Sequence, residues 1–217
     1  GTFGNILAPL TKEYLYSSVE KSLKNLGTDY IDLFQLHAFN SETPIEETMG
    51  ALDELVAKGV IRFVGCSNYN PEELKKIWDV CNKYKFEKFV SFQVQYNVIE
   101  RRAEQEIVPM CKDLGLTLII NRALARGILT GKYKPHQPLP ENSRAARSMR
   151  LKHALEEDNT LYLAESLDKF AKEQGYSGAE LAIAWLLSKN SNALVLVGVR
   201  NPEQLNPLVN SVNWELS

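Results

Sequence analysis

Apolar and polar positions along the chain change period in a repeating way. Tyr30 to His37 is an apolar run of β-prone residues that ends on a polar side chain. Thr43, Pro44 and Glu46 follow as a helix start, with an N-cap hydroxyl, a proline at the first helical position and a capping-box glutamate. Ile45, Met49, Leu52 and Val56 then recur at helical spacing on one face, and Gly59 closes the segment. The same order returns. Val60 to Cys66 reads as a strand, and Asn70, Pro71 and Glu73 open a helix with Leu74, Ile77, Trp78 and Cys81 on one side. Phe89 to Gln95 reads as a third strand, followed by a helix from Ala103 to Leu114. Thr117 to Ile120 is a fourth strand. A fifth, Leu194 to Val197, comes after a long insertion. The insertion opens with a polar stretch, Lys132 to Asp158, and continues with helices over Leu161 to Glu173 and Gly178 to Ser188, the second capped by Ser177 and Glu180. Asn201 and Pro202 open a last helix.

Strands that start at roughly 30-residue intervals, each joined to the next through a helix, predict βα units and a parallel sheet. No strand is followed by a G-x-G-x-x-G turn, so a barrel is favoured over a doubly wound dinucleotide fold. Barrel enzymes keep their chemistry at the carboxyl ends of strands. Those ends hold Gln35 and His37, Ser67 and Asn68, Gln93 with Tyr96 and Asn97 nearby, Asn121 and Arg122, and Gly198 to Arg200. Each has a plain structural reading as well: a satisfied histidine, turn chemistry, a solvated charge. Their shared position favours a polar ligand.

Composition changes this picture little. The 217 residues carry 44 % hydrophobic and 24 % charged residues, a net charge of -2 and a pI near 6.0. Nothing in that balance points to nucleic acid or an anionic membrane, and no apolar run has a spanning length. The three cysteines, Cys66, Cys81 and Cys111, sit in apolar surroundings. They read as reduced buried thiols of a cytoplasmic protein rather than a disulfide framework or a metal site.

Several segments resemble the aldo-keto reductase family: LGTDYIDLFQLHA from Leu26, TPIEETMGALDELVAKGVIRFVGCSNYNPEEL from Thr43, FQVQYNVIERRAE from Phe92, LARGILTGKY from Leu124 and VGVRNPEQL from Val197. The resemblance runs over almost the whole chain, in order. It implies a (β/α)8 TIM barrel of aldo-keto reductase type, with residues 1–217 a single partial domain of about five βα units. It implies reduction of a small-molecule carbonyl by NADPH, with His37 orienting the carbonyl. Ser67, Asn68 and Gln93 would hold the nicotinamide carboxamide. Asn121, Arg122, Leu124 and Gly127 fall in the cofactor-binding turn after the seventh family strand. Arg200 and Gln204 fall where the family grips the adenosine 2′-phosphate, and Gly198 is a further cofactor-binding position.

The sequence also departs from the family pattern. The aspartate, tyrosine and lysine of the catalytic set belong to the first three family strands, and Gly1 to Gly4 match the residues just after the lysine-bearing one. The expectation is therefore a chain without the N-terminal strands, inactive by itself, with sheet edges open to self-association or to a partner chain. Asn121, Arg122 and Ala123 stand where the family has an aromatic residue and serine-proline, and Pro207 and Leu208 stand where it has an adenine-contacting glutamate-asparagine pair. Two readings remain: an NADPH-dependent reductase, or a non-catalytic truncated barrel serving as a binding or regulatory subunit. The stretch Lys132 to Asp158 is a candidate wall for the substrate. Its Arg144, Arg147 and Arg150 form either an anion-binding surface or, more simply, a solvated helix face.

Overall fold

The computed structural model of the chain describes residues 8–156, 159–190, 192–214 and 216, without the side chains at 150, 153, 154 and 156. The chain divides into two compact units, one of residues 1–94 and 104–118, the other of residues 95–103 and 119–217. Within each unit the paired strands run parallel and neighbour one another in sequence order.

The first unit opens with α1 (Lys12–Leu26), an element the periodicity reading passed over. Its signals are local. Thr11 accepts from the Tyr14 amide, Leu15 and Val19 are buried four residues apart, and Gly27 closes the helix in the left-handed region at φ 67°. Then come β1 (Ile31–Leu36), α2 (Ile45–Ala57), β2 (Ile61–Ser67), α3 (Pro71–Tyr84), β3 (Ser91–Gln95) and α4 (Ile107–Asp113). Ile31 pairs with Ile61 and Leu36 with Cys66, a register that brings the ends of β1 and β2 level. Met49, Leu52, Ile61, Val64, Leu74 and Ile77 are buried in its core.

Two expected helix starts differ from the structure here. No capping box forms at Thr43. Its hydroxyl accepts from the Leu10 amide, 33 residues earlier, and its own amide donates to Asn40 Oδ1, so α2 begins after Pro44 without a side-chain cap. A tertiary partner has taken the capping group. The helix expected from Ala103 is broken into a 3₁₀ turn, Arg102–Glu104, and α4 from Ile107. Pro109 supplies the reason. Its ring clashes with the carbonyl four residues back, at Gln105, so a regular helix can start only just ahead of it.

The second unit holds β4 from Ile119 onward, within Thr117–Asn121, then α5 (Met149–Glu156), α6 (Thr160–Glu173), α7 (Gly178–Lys189), β5 (Leu194–Val195) and α8 (Pro202–Asn210). Ile128, Leu129, Tyr133, Leu151, Leu155 and Ala164 form its core. The stretch read as polar thus contains a helix, α5. β5 is shorter than expected, because only Leu194 and Val195 pair with Ile119 and Ile120, although the Leu196 amide still donates to the Ile120 carbonyl. The capping boxes Asn70–Glu73 and Ser177–Glu180 both form as the spacing predicts.

All three cysteines are buried and free. Burial pushes the Cys81 thiol up to about 11, that of Cys111 to about 12 and that of Cys66 higher still, so none is a thiolate nucleophile at neutral pH.

Candidate functional site

In the first unit the structure brings Ser67, Asn68, His37 and Gln93 together through the ends of β1, β2 and β3. Ser67 is buried, and its hydroxyl donates to the Gln93 carbonyl at 3.0 Å. Asn68 turns the chain out of β2 at φ 58°, a left-handed conformation that asparagine tolerates better than most residues. Its Nδ2 donates twice, to the His37 carbonyl at 2.8 Å and to Ser67 Oγ at 3.0 Å. Both amide hydrogens are then engaged, which leaves Oδ1 of this exposed residue as its acceptor. His37 is held by its backbone while its imidazole is exposed. Gln93 is half-buried. Gly65 lies two residues before Ser67, where β2 runs so close to Ser91 and Gln35 that an added Cβ would stand 2.3 Å from Ser91 Oγ.

In the second unit the candidates fall on two segments. At the end of β4, Asn121 accepts from the Tyr96 amide through its backbone, while its side-chain Oδ1 is buried without a hydrogen-bond partner. It is the one such side-chain atom among the described residues. Arg122 follows at φ 55°, with its guanidinium donating to the Gln95 side-chain carbonyl. Asn97, which the sequence places near the end of the third strand, keeps this turn in place. Buried to 1 % exposure, it donates from Nδ2 to the Arg122 carbonyl at 3.0 Å, and its Oδ1 accepts from the Ile99 and Glu100 amides. An asparagine whose side chain serves the amides two and three residues on is an Asx turn, and that spacing was readable in the sequence. Leu124 and Gly127 lie in the next turn, where Ala125, Arg126 and Gly127 are all left-handed.

On the second segment, the Arg200 guanidinium donates to the Asn142 carbonyl at 2.8 Å. Gln204 uses its Oε1 to accept from the Arg200 amide at 3.0 Å, so it holds the arginine's backbone at the start of α8. Gly198 borders open space. In the insertion, Arg144 and Arg147 are exposed, as on a solvated face, and the Arg150 side chain lies outside the described residues. A half-open cavity of about 740 Å³ is lined there by Lys134, His136, Lys152, Leu155, Leu161 and Tyr162. His136 Nε2 lies 2.7 Å from the Tyr162 hydroxyl. Among the described residues no group of His, Cys, Asp and Glu could hold a metal ion, and no helix is long and apolar enough to cross a membrane.

Asp168 is named by none of the sequence motifs. It is a carboxylate at 4 % exposure on the Ala164–Ala171 face of α6, and a charge on an apolar stripe is the signal that could have flagged it. Burial works to raise its carboxyl, but the hydrogen bond from Lys172, the Gly178 amide and the charge of Lys134 outweigh that and hold it below the ordinary value of 3.8. A carboxyl lowered on folding adds stability that is complete above its unfolded value and is lost as pH falls through the folded one. Thermal denaturation should therefore show the native chain losing more stability than Asp168→Asn below about pH 4. Parallel acid profiles would contradict the ion-paired carboxylate.

Comparisons with known proteins bear on these residues. The model of the family described as "Aldo/keto reductase family" matches residues 4–217. The chain is 33 % identical to the versiconal hemiacetal acetate reductase of Aspergillus parasiticus, over 96 % of this chain and 60 % of the relative. It is 32 % identical to the L-glyceraldehyde 3-phosphate reductase of Escherichia coli O157:H7, over 94 % and 59 %. The glycerol dehydrogenase AKR11B4 of Gluconobacter oxydans superposes with a TM-score of 0.81 at 28 % identity, over 96 % of this chain and 61 % of that structure. The chain thus spans about 60 % of the length of the curated relatives it matches.

Proposed function

The chain belongs to the aldo/keto reductase family, and on that premise we propose that residues 1–217 are one domain, part of a (β/α)8 barrel, whose strand ends bind a nicotinamide dinucleotide, NADPH in preference to NADH, for the reduction of a small-molecule aldehyde or ketone. The observation that carries the reading is the Ser67–Asn68 pair. One side chain is anchored to Gln93 and the other to His37, and the carbonyl oxygen of the exposed Asn68 side chain is an acceptor that suits an amide donor such as a nicotinamide carboxamide. The buried, unpartnered Oδ1 of Asn121 fits the same class of ligand, since leaving a buried acceptor empty costs about 1–3 kcal/mol that a ligand donor would recover.

Bound there, the cofactor supplies the hydride. The chain's own residues bind and orient. His37 presents an exposed imidazole able to donate a hydrogen bond to a carbonyl oxygen. Arg200 presents further guanidinium N–H groups beyond the one given to Asn142, in the fork geometry that suits a phosphate. Gln204 fixes the backbone from which that arginine projects. The aspartate, tyrosine and lysine motifs of the family are not recognisable in these residues, and the segment that would adjoin them, residues 1–7, lies outside the described residues. Proton delivery to the carbonyl oxygen is therefore not assigned to any side chain here, and these 217 residues by themselves are expected not to reduce carbonyls.

Binding decides the matter. Titration by quenching of the intrinsic fluorescence of the three tryptophans should show NADPH bound more tightly than NADH. Arg200→Ala should weaken NADPH by about tenfold or more and leave NADH unchanged. A folded chain that binds neither dinucleotide would overturn the cofactor reading in favour of a binding or regulatory subunit.

A further inference from the structure

The turn after β4 is held in a conformation that its sequence does not favour. Ala125 at φ 46° and Arg126 at φ 59° are left-handed without being glycine, and such residues persist only where their surroundings leave no alternative. Inside the turn, the Ala125 amide donates to the Arg122 carbonyl, the Gly127 and Leu129 amides to the Leu124 carbonyl, and Thr130 Oγ1 to the Gly127 carbonyl. These bonds tie the turn to itself. What ties its far end to the rest of the unit is Asp168.

That carboxylate works on three segments at once. Gly131, at φ 71°, lies against it so closely that an added Cβ would stand 2.6 Å from Cγ and Oδ2. Lys134, three residues further on, brings its ammonium to 3.7 Å of Oδ2, and Glu165 takes the same ammonium at 3.4 Å. From the other side, Oδ1 accepts from the Gly178 amide at 3.2 Å at the start of α7, and Lys172 donates to Oδ2 at 2.8 Å. Gly178 is itself confined, since a Cβ there would meet the Leu129 carbonyl at 3.0 Å. Two glycines and two lysines from three segments thus converge on one buried carboxylate, more than is needed to fasten α6 to α7.

We propose that Asp168 is a positioning residue for the turn of residues 124–131, holding the backbone around Leu124 and Gly127 in its left-handed form and thereby setting the affinity for the dinucleotide. The inference rests on the cofactor reading of that turn. Asp168 does not touch the ligand in this account. It acts through Gly131 and Lys134.

The test compares the native chain with Asp168→Asn, which keeps the shape and one acceptor but removes the charge. The first readout needs no cofactor. Trypsin cleavage at the Arg126–Gly127 bond, followed by mass spectrometry, should be about tenfold faster in the variant, while cleavage after Lys75 on α3 is unchanged. The second readout is NADPH binding by fluorescence quenching, expected to be about tenfold weaker, at a temperature where circular dichroism shows both proteins folded. Equal rates at Arg126, or rates raised alike at both bonds, overturn the positioning role. Faster cleavage at Arg126 with unchanged NADPH affinity overturns the link from the turn to the ligand. A native chain that binds no NADPH overturns the cofactor reading and this proposal with it, a result separate from the other two. Should Asp168→Asn fail to fold, Lys134→Ala removes only the partner on the turn's side, and both readouts should then move about threefold.

Discussion

Gly65→Ala should lower the stability of the chain by about 2–3 kcal/mol, a large effect for a single methyl group. Alanine is acceptable in a strand, and Gly65 needs no unusual backbone angle. The cost comes from space. The added Cβ would lie 2.3 Å from Ser91 Oγ and 3.1 Å from Gln35 Cγ. Ser91 is 2 % exposed, so its hydroxyl has little room to rotate away, and it faces Gln35 Oε1 at 3.5 Å. The strands must separate or a buried side chain must leave its rotamer. Gly65 pairs with Gln35 on one side and Ser91 on the other, so the shift would pass along β2 to Ser67. A second substitution isolates the cause. Ser91→Ala removes the clashing oxygen, and Gly65→Ala placed on that background should cost about 1 kcal/mol or less. Urea denaturation of the four proteins gives the coupling. Additive losses would mean that the close approach at Gly65 is not what confines this position.

The repeated strand-helix order was legible because its signals are local. Asn70 with Glu73, and Ser177 with Glu180, cap their helices through bonds three residues long, and such chemistry depends little on the rest of the fold. Where the reading differed, a distant partner or a neglected residue decided. Thr43 had the right type and spacing for a cap but is used by the Leu10 amide. Pro109 was in view, yet its effect falls on the residues before it and moves the start of α4 to Ile107. Helix α1 carries its own cap and glycine stop, but it precedes the first strand and so stands outside the strand-helix repeat. The candidate site divides in the same way. Residue types at strand ends named Ser67, Asn68 and Gln93, but not that Asn68 spends both amide hydrogens inside the protein. The family resemblance put Arg122 in a cofactor-binding turn, and its guanidinium donates to the side-chain carbonyl of Gln95. The strand pattern placed Asn97 near a strand end without its bond to the Arg122 carbonyl, and it did not reach Asp168, because those contacts lie 25 and 10 residues away in sequence.

Asn68→Ala should weaken binding of NADPH and NADH alike, by about 10- to 100-fold, with a smaller effect on stability. Three consequences follow from losing one amide group. The Oδ1 disappears, and with it the acceptor that the proposed ligand would use. The His37 carbonyl and Ser67 Oγ each lose a donor, so the two strand ends are no longer tied. Alanine at φ 58° is also strained, by about 1 kcal/mol, where asparagine is tolerated. Asn68→Gly separates these effects. Glycine relieves the backbone strain but restores neither the acceptor nor the tie, so it should recover stability and not affinity. On the proposed cofactor reading, Arg200→Ala should weaken NADPH only, whereas Asn68→Ala should weaken both dinucleotides by the same factor. Calorimetric titration of the three variants with each dinucleotide reads this directly. If Asn68→Gly regains native affinity, the side chain serves only the turn, and the carboxamide role assigned to it fails.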